Sequence, residues 1–305
     1  MQSLCMQDRS SNPYYEYILR LARKLPKDIY DPTRKREKPP MPTQASSDFL
    51  INKNLGDWGE NVVLRSIAEA SRDYVVVKYG RSGDAVAGED GFREFYNDYQ
   101  DELDEFGKRP DLLVFRKNDF TSEDRDLGER DNEEIAGIVG KAVAGIEVRS
   151  SSYLARKYKP GRSSPFPVLS FTIKVEDIMV VLRWIQNTGV PHYYVQVPFD
   201  EVYALGFHAA LETICGPDSE KGEKNYSLAR DSKNQFKTTI KIPFTRGRRV
   251  GEITEDPKLI GVRRELDSGR LLFSVKFSGG VLEPRSVVWD GIFEEARRLK
   301  VTPRS

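Results

Sequence analysis

Two short runs constrain this chain more than any other feature: Lys108-Arg-Pro-Asp-Leu-Leu-Val-Phe115 and Ala144-Gly-Ile-Glu-Val-Arg-Ser-Ser-Ser152. Each is apolar with one carboxylate at its edge, Asp111 and Glu147, and the spacing of buried and exposed positions predicts a β-strand in both. Two adjacent antiparallel strands can hold two such carboxylates over one point in space, which is how a divalent cation is gripped. Glu147 and Arg149 are two residues apart, so both side chains project from the same face of their strand. The acidic interval between the runs reads as an insertion at a strand connection.

The rest of the composition limits what such a cation can be. Cys5, Cys215, His192 and His208 are the only cysteines and histidines in 305 residues, too few and too scattered for a zinc site or a disulfide framework. They read as ordinary thiols and imidazoles, and any metal must be held by oxygen, which points to magnesium, calcium or manganese. No apolar run approaches the roughly 18 residues of a membrane span, and the first residues lack the apolar core of a signal peptide. A cytoplasmic, membrane-free protein is the expectation. The net charge of +1 conceals an uneven distribution, with acids gathered in 84–105 and 119–134 and a basic C-terminal third, and a balanced total of this kind can hide a polarised surface.

Read in order, the chain predicts an α/β fold: a mixed central β-sheet flanked by helices, with a basic, strand-rich C-terminal lobe. Residues 12–25 form a first helix. The Pro-rich stretch 26–47 carries Arg34, Lys35, Arg36 and Lys38 and reads as a surface linker or as a basic arm along a polyanion or a partner subunit. A helix follows over 55–71, with Asp57 at a capping position and Glu60 in its first turn. Strands are predicted at 74–79, 111–115, 142–149, 169–174 and 192–197, and helices at 84–107 and 176–186. The helix between the strands at 169–174 and 192–197 should place them parallel in one sheet. Beyond a polar break at 216–224 come strands at 236–244 and 270–277 and a final helix at 287–299. The expected division is an N-terminal helix and arm (1–54), a core (55–215) and a basic β-rich subdomain (216–305).

A hard cation here would take oxygens from Asp111, Glu147 and the carbonyl of Val148, a set suited to metal-assisted phosphodiester hydrolysis. Pro110-Asp111 followed by Glu147-Val148-Arg149, after a helix bearing Glu60 and the strand 74–79, resembles the PD-(D/E)xK nuclease core of many type II restriction endonucleases. Gly-Asp-Trp-Gly-Glu60, the two runs above, Ser-Phe-Thr-Ile-Lys-Val-Glu-Asp-Ile178 and the basic C-terminal strands are similar to the AccI-like restriction enzymes in particular, over roughly Leu55 to Leu299. The resemblance implies a restriction-endonuclease-like fold, site-specific cleavage of double-stranded DNA with Mg2+ (Mn2+ or Ca2+ as substitutes), and a homodimer whose symmetry matches a palindromic site. It also implies that Glu60 contacts the metal site through water.

One position departs from that pattern: Arg149 stands where the family has lysine. Arginine stays protonated and cannot serve as a general base. Either Arg149 holds the attacking water or the scissile phosphate, or Lys174 from a neighbouring strand fills the place. Arg81, Lys237, Lys241, Arg246, Arg248 and Arg249 are the expected DNA contacts, with the last three, in a Gly-containing turn, the candidates for reading bases. No phosphate-binding loop of the Gly-x-x-x-x-Gly-Lys-Ser/Thr type is present, so no nucleotide cofactor is expected. Two other readings stay open: a repair or recombination nuclease that recognises DNA structure, and a DNA-binding protein with an inactive nuclease fold. Strand-edge acids and ordinary ion pairs would leave many of the same marks.

Overall fold

Neighbouring residues on the central strands go to opposite cores, as period-two alternation requires. Val76, Leu112, Val114, Ile146 and Val148 pack on one side with Trp58, Val62 and Ile67 and with Trp289 and Phe293. Val77, Leu113, Phe115, Tyr194 and Leu205 pack on the other with Tyr14, Ile18, Ile178, Trp184, Phe207 and Leu211. A sheet buried on both faces, with helices on each, follows. The structure is a computed structural model and describes residues 12–81, 83, 85–120, 122, 124–158, 169–218, 225–230 and 237–301. Cys5 lies outside them.

The described elements run α1 (Pro13–Ala22), α2 (Ser47–Ala70), β1 (Tyr74–Lys78), α3 (Phe92–Glu105), β2 (Leu112–Arg116), α4 (Asn132–Val139), β3 (Ala144–Ser150), β4 (Ser170–Lys174) and α5 (Val175–Thr188). They continue β5 (His192–Val197), β6 (Glu201–Gly206), α6 (Phe207–Cys215), β7 (Ser227–Arg230), β8 (Thr238–Pro243), β9 (Arg248–Glu255), β10 (Lys258–Glu265), β11 (Leu271–Ser278), β12 (Val281–Pro284) and α7 (Ser286–Val301). The seven-stranded sheet has the order β1-β2-β3-β5-β6-β9-β12. Its one parallel pair is β3 with β5; every other neighbour is antiparallel. The fold is thus the mixed, helix-flanked sheet that the sequence predicts.

Three of the differences from expectation bear on how the sheets are assembled. The strand at 170–174 does not lie parallel to β5 in the main sheet: it pairs antiparallel with β8, in a separate sheet of order β4-β8-β7. β4 ends at Lys174 and α5 starts at Val175, which leaves no loop for a return crossover, and Phe171 and Ile173 are buried with Ile240 and Ile242 of the partner strand instead. The second difference is α2, which begins at Ser47, capped by the Ser46 hydroxyl accepting from the Phe49 N–H; Asp57 is an interior residue that pairs with Lys53 at 3.5 Å, not a cap. Lastly, β9 and β12 of the C-terminal third join the central sheet, while β10 and β11 form a hairpin against α2.

The basic arm has its acidic partner within the same chain. Arg36 meets Asp104 at 2.9 Å, Lys38 meets Asp101 at 2.5 Å, and the Tyr96 hydroxyl donates to the carbonyl of Pro39 at 2.6 Å, so the arm is laid along α3. No helix among the described residues is long and apolar enough to cross a membrane.

Candidate active site

The antiparallel pairing of β2 with β3 opposes Leu112 to Ile146 and Leu113 to Gly145. One step further along that register brings Asp111 opposite Glu147. Asp111 is fixed from both sides: its carbonyl accepts the N–H groups of Tyr79 and Gly80 at 2.8 and 3.0 Å, and its Oδ2 accepts the N–H of Val148 at 2.6 Å. Gly80 has to be glycine-sized here, because a Cβ would stand 2.9 Å from the Asp111 Cα. Gly59 of α2 likewise presses on Ser150 of β3, where a Cβ would lie 2.0 Å from the hydroxyl oxygen. That close approach carries Glu60 to the end of the sheet beside the two carboxylates.

Four charged groups alternate in a square. Glu147 Oε1 accepts from Lys108 Nζ at 2.6 Å and pairs with the Arg149 guanidinium at 2.9 Å. Asp177 Oδ2, from the first turn of α5, accepts from the same two cations at 3.0 and 3.1 Å. Burial pushes the Glu147 carboxyl up, but Lys108 and Arg149 outweigh it and leave the group below the usual carboxylate range. Asp177 is likewise held low, against its burial, by Lys108, Arg149 and Lys174. For Lys108 burial favours the neutral amine, yet Asp177 and Glu147 raise it above the ordinary lysine value, so it is an ammonium ion. In Lys174 the pull of Asp177 is overcome by burial together with Arg149, Lys108 and Lys237, and the amine lies below its ordinary value.

For Asp111 and Glu60 the compensation falls short, Lys108 and the Val148 N–H acting on the first and Lys78 and Lys53 on the second. Burial, then the charges of Glu147 and Glu60, hold the Asp111 carboxyl well above its usual range. Burial, then Asp57 and Glu147, push Glu60 up to about 7. The second oxygen of Glu147, Oε2, is buried with no hydrogen-bond partner among the described residues. A buried carboxylate oxygen without a donor is costly unless a cation meets it. Among the described residues no three His, Cys, Asp or Glu side chains converge on one point; a cation here would rest on two carboxylates and main-chain oxygen. The crowding of negative charge and the unpartnered Oε2 fit a hard divalent ion, with Asp111, Glu147 and the Val148 carbonyl as its holders.

Beside this cluster lies a cavity of about 390 Å3 lined by Arg149, Thr172, Lys174, Arg230, Thr239 and Lys241. Its floor is the small sheet, whose register sets Thr172 against Lys241 and Lys174 against Thr239. One face of that sheet is apolar and buried; the other offers hydroxyls and lysines.

A family model describing the AccI restriction endonuclease matches residues 12–164 and 166–283. The chain belongs to the AccI restriction endonuclease family. No curated protein and no solved structure matches it. Membership makes the chain a nuclease, a hydrolase whose substrate is DNA, of a family whose restriction endonucleases generally use divalent metal ions.

Within this family member, Asp111, Glu147, Val148, Arg149 and Glu60 gather at one place, with Lys174 at its rim on the cavity side. The expected DNA contacts divide. Lys241 lines the cavity and Lys237 is exposed next to its sheet. Arg81 is paired with Glu102 at 2.9 Å, Arg246 donates to Asn225, Arg248 pairs with Glu295, and Arg249 pairs with Glu201 and Glu252. Two members of the square, Lys108 and Asp177, lie within runs quoted for the resemblance but carried no assigned role at the site. The signal for Lys108 was its place three residues before Asp111, on the chain's approach to the strand. Asp177 lies in the run Ser170–Ile178, but as an acid in a helix's first turn it has a position that the helix dipole favours on its own, which masked any role at the site.

Proposed function

We propose that the chain is a type II restriction endonuclease that hydrolyses phosphodiester bonds at a specific sequence in double-stranded DNA, using Mg2+ held by Asp111, Glu147 and the Val148 carbonyl. The observation that carries this reading is the buried, unpartnered Oε2 of Glu147 set against Asp111 and Glu60, two carboxyls held above their ordinary range by burial and then by neighbouring negative charge. When bound, Mg2+ (or Mn2+ in its place) supplies a water of lowered pKa and positive charge opposite the reacting phosphate. Asp111 and Glu147 fix the position of that charge, since both are tied to the strand backbone or to the ion-pair square. Glu60 orients water at the end of the sheet.

The DNA backbone lies along the small sheet, where Thr172, Lys174, Thr239 and Lys241 suit phosphate contacts. The enzyme acts as a homodimer, two sites for the two strands of a palindrome.

Plasmid cleavage tests the reading. The wild type should give discrete fragments with Mg2+ and none with a chelator. Asp111→Ala and Glu147→Ala should each lose cleavage by at least about 100-fold while keeping DNA binding in a gel-shift assay. A second readout does not depend on cutting: Asp111→Asn removes repulsion from Glu147 and Glu60, so its metal-free thermal midpoint should rise above wild type and should no longer respond to added Mg2+. Normal cleavage by either alanine variant sinks the assignment. Diffuse or branch-dependent cutting would favour a repair nuclease, and binding without cutting an inactive nuclease fold.

A further inference from the structure

We infer that Lys108, held in place by Asp177, is the catalytic cation of this site, delivered from the loop that leads into β2 instead of from the position two residues after Glu147. The inference rests on the nuclease reading above and adds to it the identity of the group that meets the scissile phosphate. Among the lysines of the described residues, Lys108 is the one whose ammonium group bonds to Glu147, at 2.6 Å. Its side chain is 15% exposed and that of Glu147 5%, so the ammonium sits at the boundary between the buried carboxylates and solvent, where a phosphate would arrive.

The other two candidates are placed for different work. Arg149 shares the same two carboxylate oxygens and buttresses Glu147 from along its own strand. Lys174 has no ion pair with Glu147 or Asp111 among the described residues; it lines the cavity with Thr172, Thr239 and Lys241, on the track assigned to the DNA backbone.

Main-chain geometry shows how Lys108 is held. Gly107 has φ +101°, and a Cβ there would stand 2.4 Å from the Trp184 nitrogen and from the Val180 carbonyl oxygen. The next N–H, that of Lys108, donates to the same Val180 carbonyl at 3.0 Å. Both partners belong to α5, the helix that carries Asp177. The lysine's backbone and the carboxylate that aims its side chain are therefore parts of one rigid piece, and placement on rigid elements is what a phosphate-transfer site needs. Asp177 touches Lys108 and Arg149, not the reacting atoms, and is a positioning residue.

The test is single-turnover cleavage as a function of enzyme concentration, read together with DNA affinity by fluorescence anisotropy in a chelator. Lys108→Met should lower the maximal rate by about 100-fold or more with affinity changed far less. Lys108→Arg, which keeps the charge, should recover part of that rate. Lys174→Met should act mainly on the concentration needed for half-maximal rate. Asp177→Asn should lower the maximal rate about tenfold or more, with partial rescue in Asp177→Glu, which a merely structural acid would not show. Should Lys108→Met fail to fold, Lys108→Gln takes its place. A maximal rate equal to wild type in the folded Lys108 variant overturns the proposal, as does loss of the maximal rate in Lys174→Met instead. Inactivity of the wild type, or normal activity of Glu147→Ala, would instead refute the nuclease reading on which this rests.

Discussion

Replacing Gly107 by alanine isolates the constraint that pins Lys108 to α5. Two costs are expected. At φ +101° a Cβ carries a conformational penalty of about 1–2 kcal/mol. The second is steric: the new carbon would lie 2.4 Å from two main-chain atoms of α5 and 2.9 Å from the Trp184 Cα, and main-chain atoms of a packed helix cannot rotate aside, so overpacking adds about 1–3 kcal/mol. Gly269 supplies the control. It has φ +77° with nothing within 4 Å of its would-be Cβ, so Gly269→Ala should cost the conformational part alone. Urea denaturation at neutral pH, comparing midpoints at equal slope, should therefore place Gly107→Ala about 1–3 kcal/mol below Gly269→Ala. Cleavage should follow the same order at a temperature where both variants are folded, because Lys108 is the adjoining residue. If the two variants agree within about 0.5 kcal/mol, or if Gly107→Ala cuts normally, the rigid coupling of this loop to α5 is refuted.

Two further expectations concern groups away from the reacting centre. The Glu295 carboxyl is brought down to about 2 from 4.5 by the His208 hydrogen bond and by Arg248, against its partial burial. A depressed carboxyl stabilises the fold above its ordinary value and loses that contribution as pH falls from about 4.5 to about 2; wild type should thus exceed Glu295→Gln by on the order of 2 kcal/mol at pH 6, with the gap narrowing below about pH 4.5 and closing near pH 2, and a gap independent of pH over this range would contradict the assignment. For DNA, Lys241→Ala should reduce the slope of log affinity against log salt by about 1. Arg249→Ala, whose guanidinium is already paired with Glu201 and Glu252, should leave that slope nearly unchanged and lower thermal stability instead.

The parts of this molecule that are legible in sequence are those decided by local pattern. The runs at 108–115 and 144–152 announce strands because apolar residues flank single charges, and from two strands the adjacency of Asp111 and Glu147 is a short step. Long-range pairing is not written locally. Ser170–Lys174 has the alternation of a strand, but its partner, β8, lies beyond α6 and β7, so the sheet it joins cannot be read from its own residues. Val281–Pro284 is four residues long and includes a proline, too little for a pattern, yet it forms an edge of the central sheet. The start of α2 was hidden because Asp57, inside the expected helix of 55–71, looked like its cap, whereas Ser46 caps a helix that already begins at Ser47. Lys108 escaped the motif because a motif fixes spacing along one strand, while an ammonium group on a long side chain can reach the same point from another. The arginines 246, 248 and 249 looked available for DNA because the sequence does not show that Asn225, Glu295, Glu201 and Glu252 fold onto them.

The strand order of the central sheet also bears on when the enzyme becomes competent during synthesis. β1, β2, β3, β5 and β6 emerge first, and with them every group gathered at the carboxylates, from Glu60 to Asp177. β9, which covers the outer edge of β6, and β8, which supplies Lys241 and pairs with β4, follow only after residue 237. A chain still being translated at that point has its reactive groups in place on a sheet with one bare edge, and half of the surface along which DNA would lie is missing. Such edges favour association with other chains, and pairing across so long a separation is slow. The order of elements therefore makes the interval before β8 and β9 are complete the step of folding most exposed to misassembly.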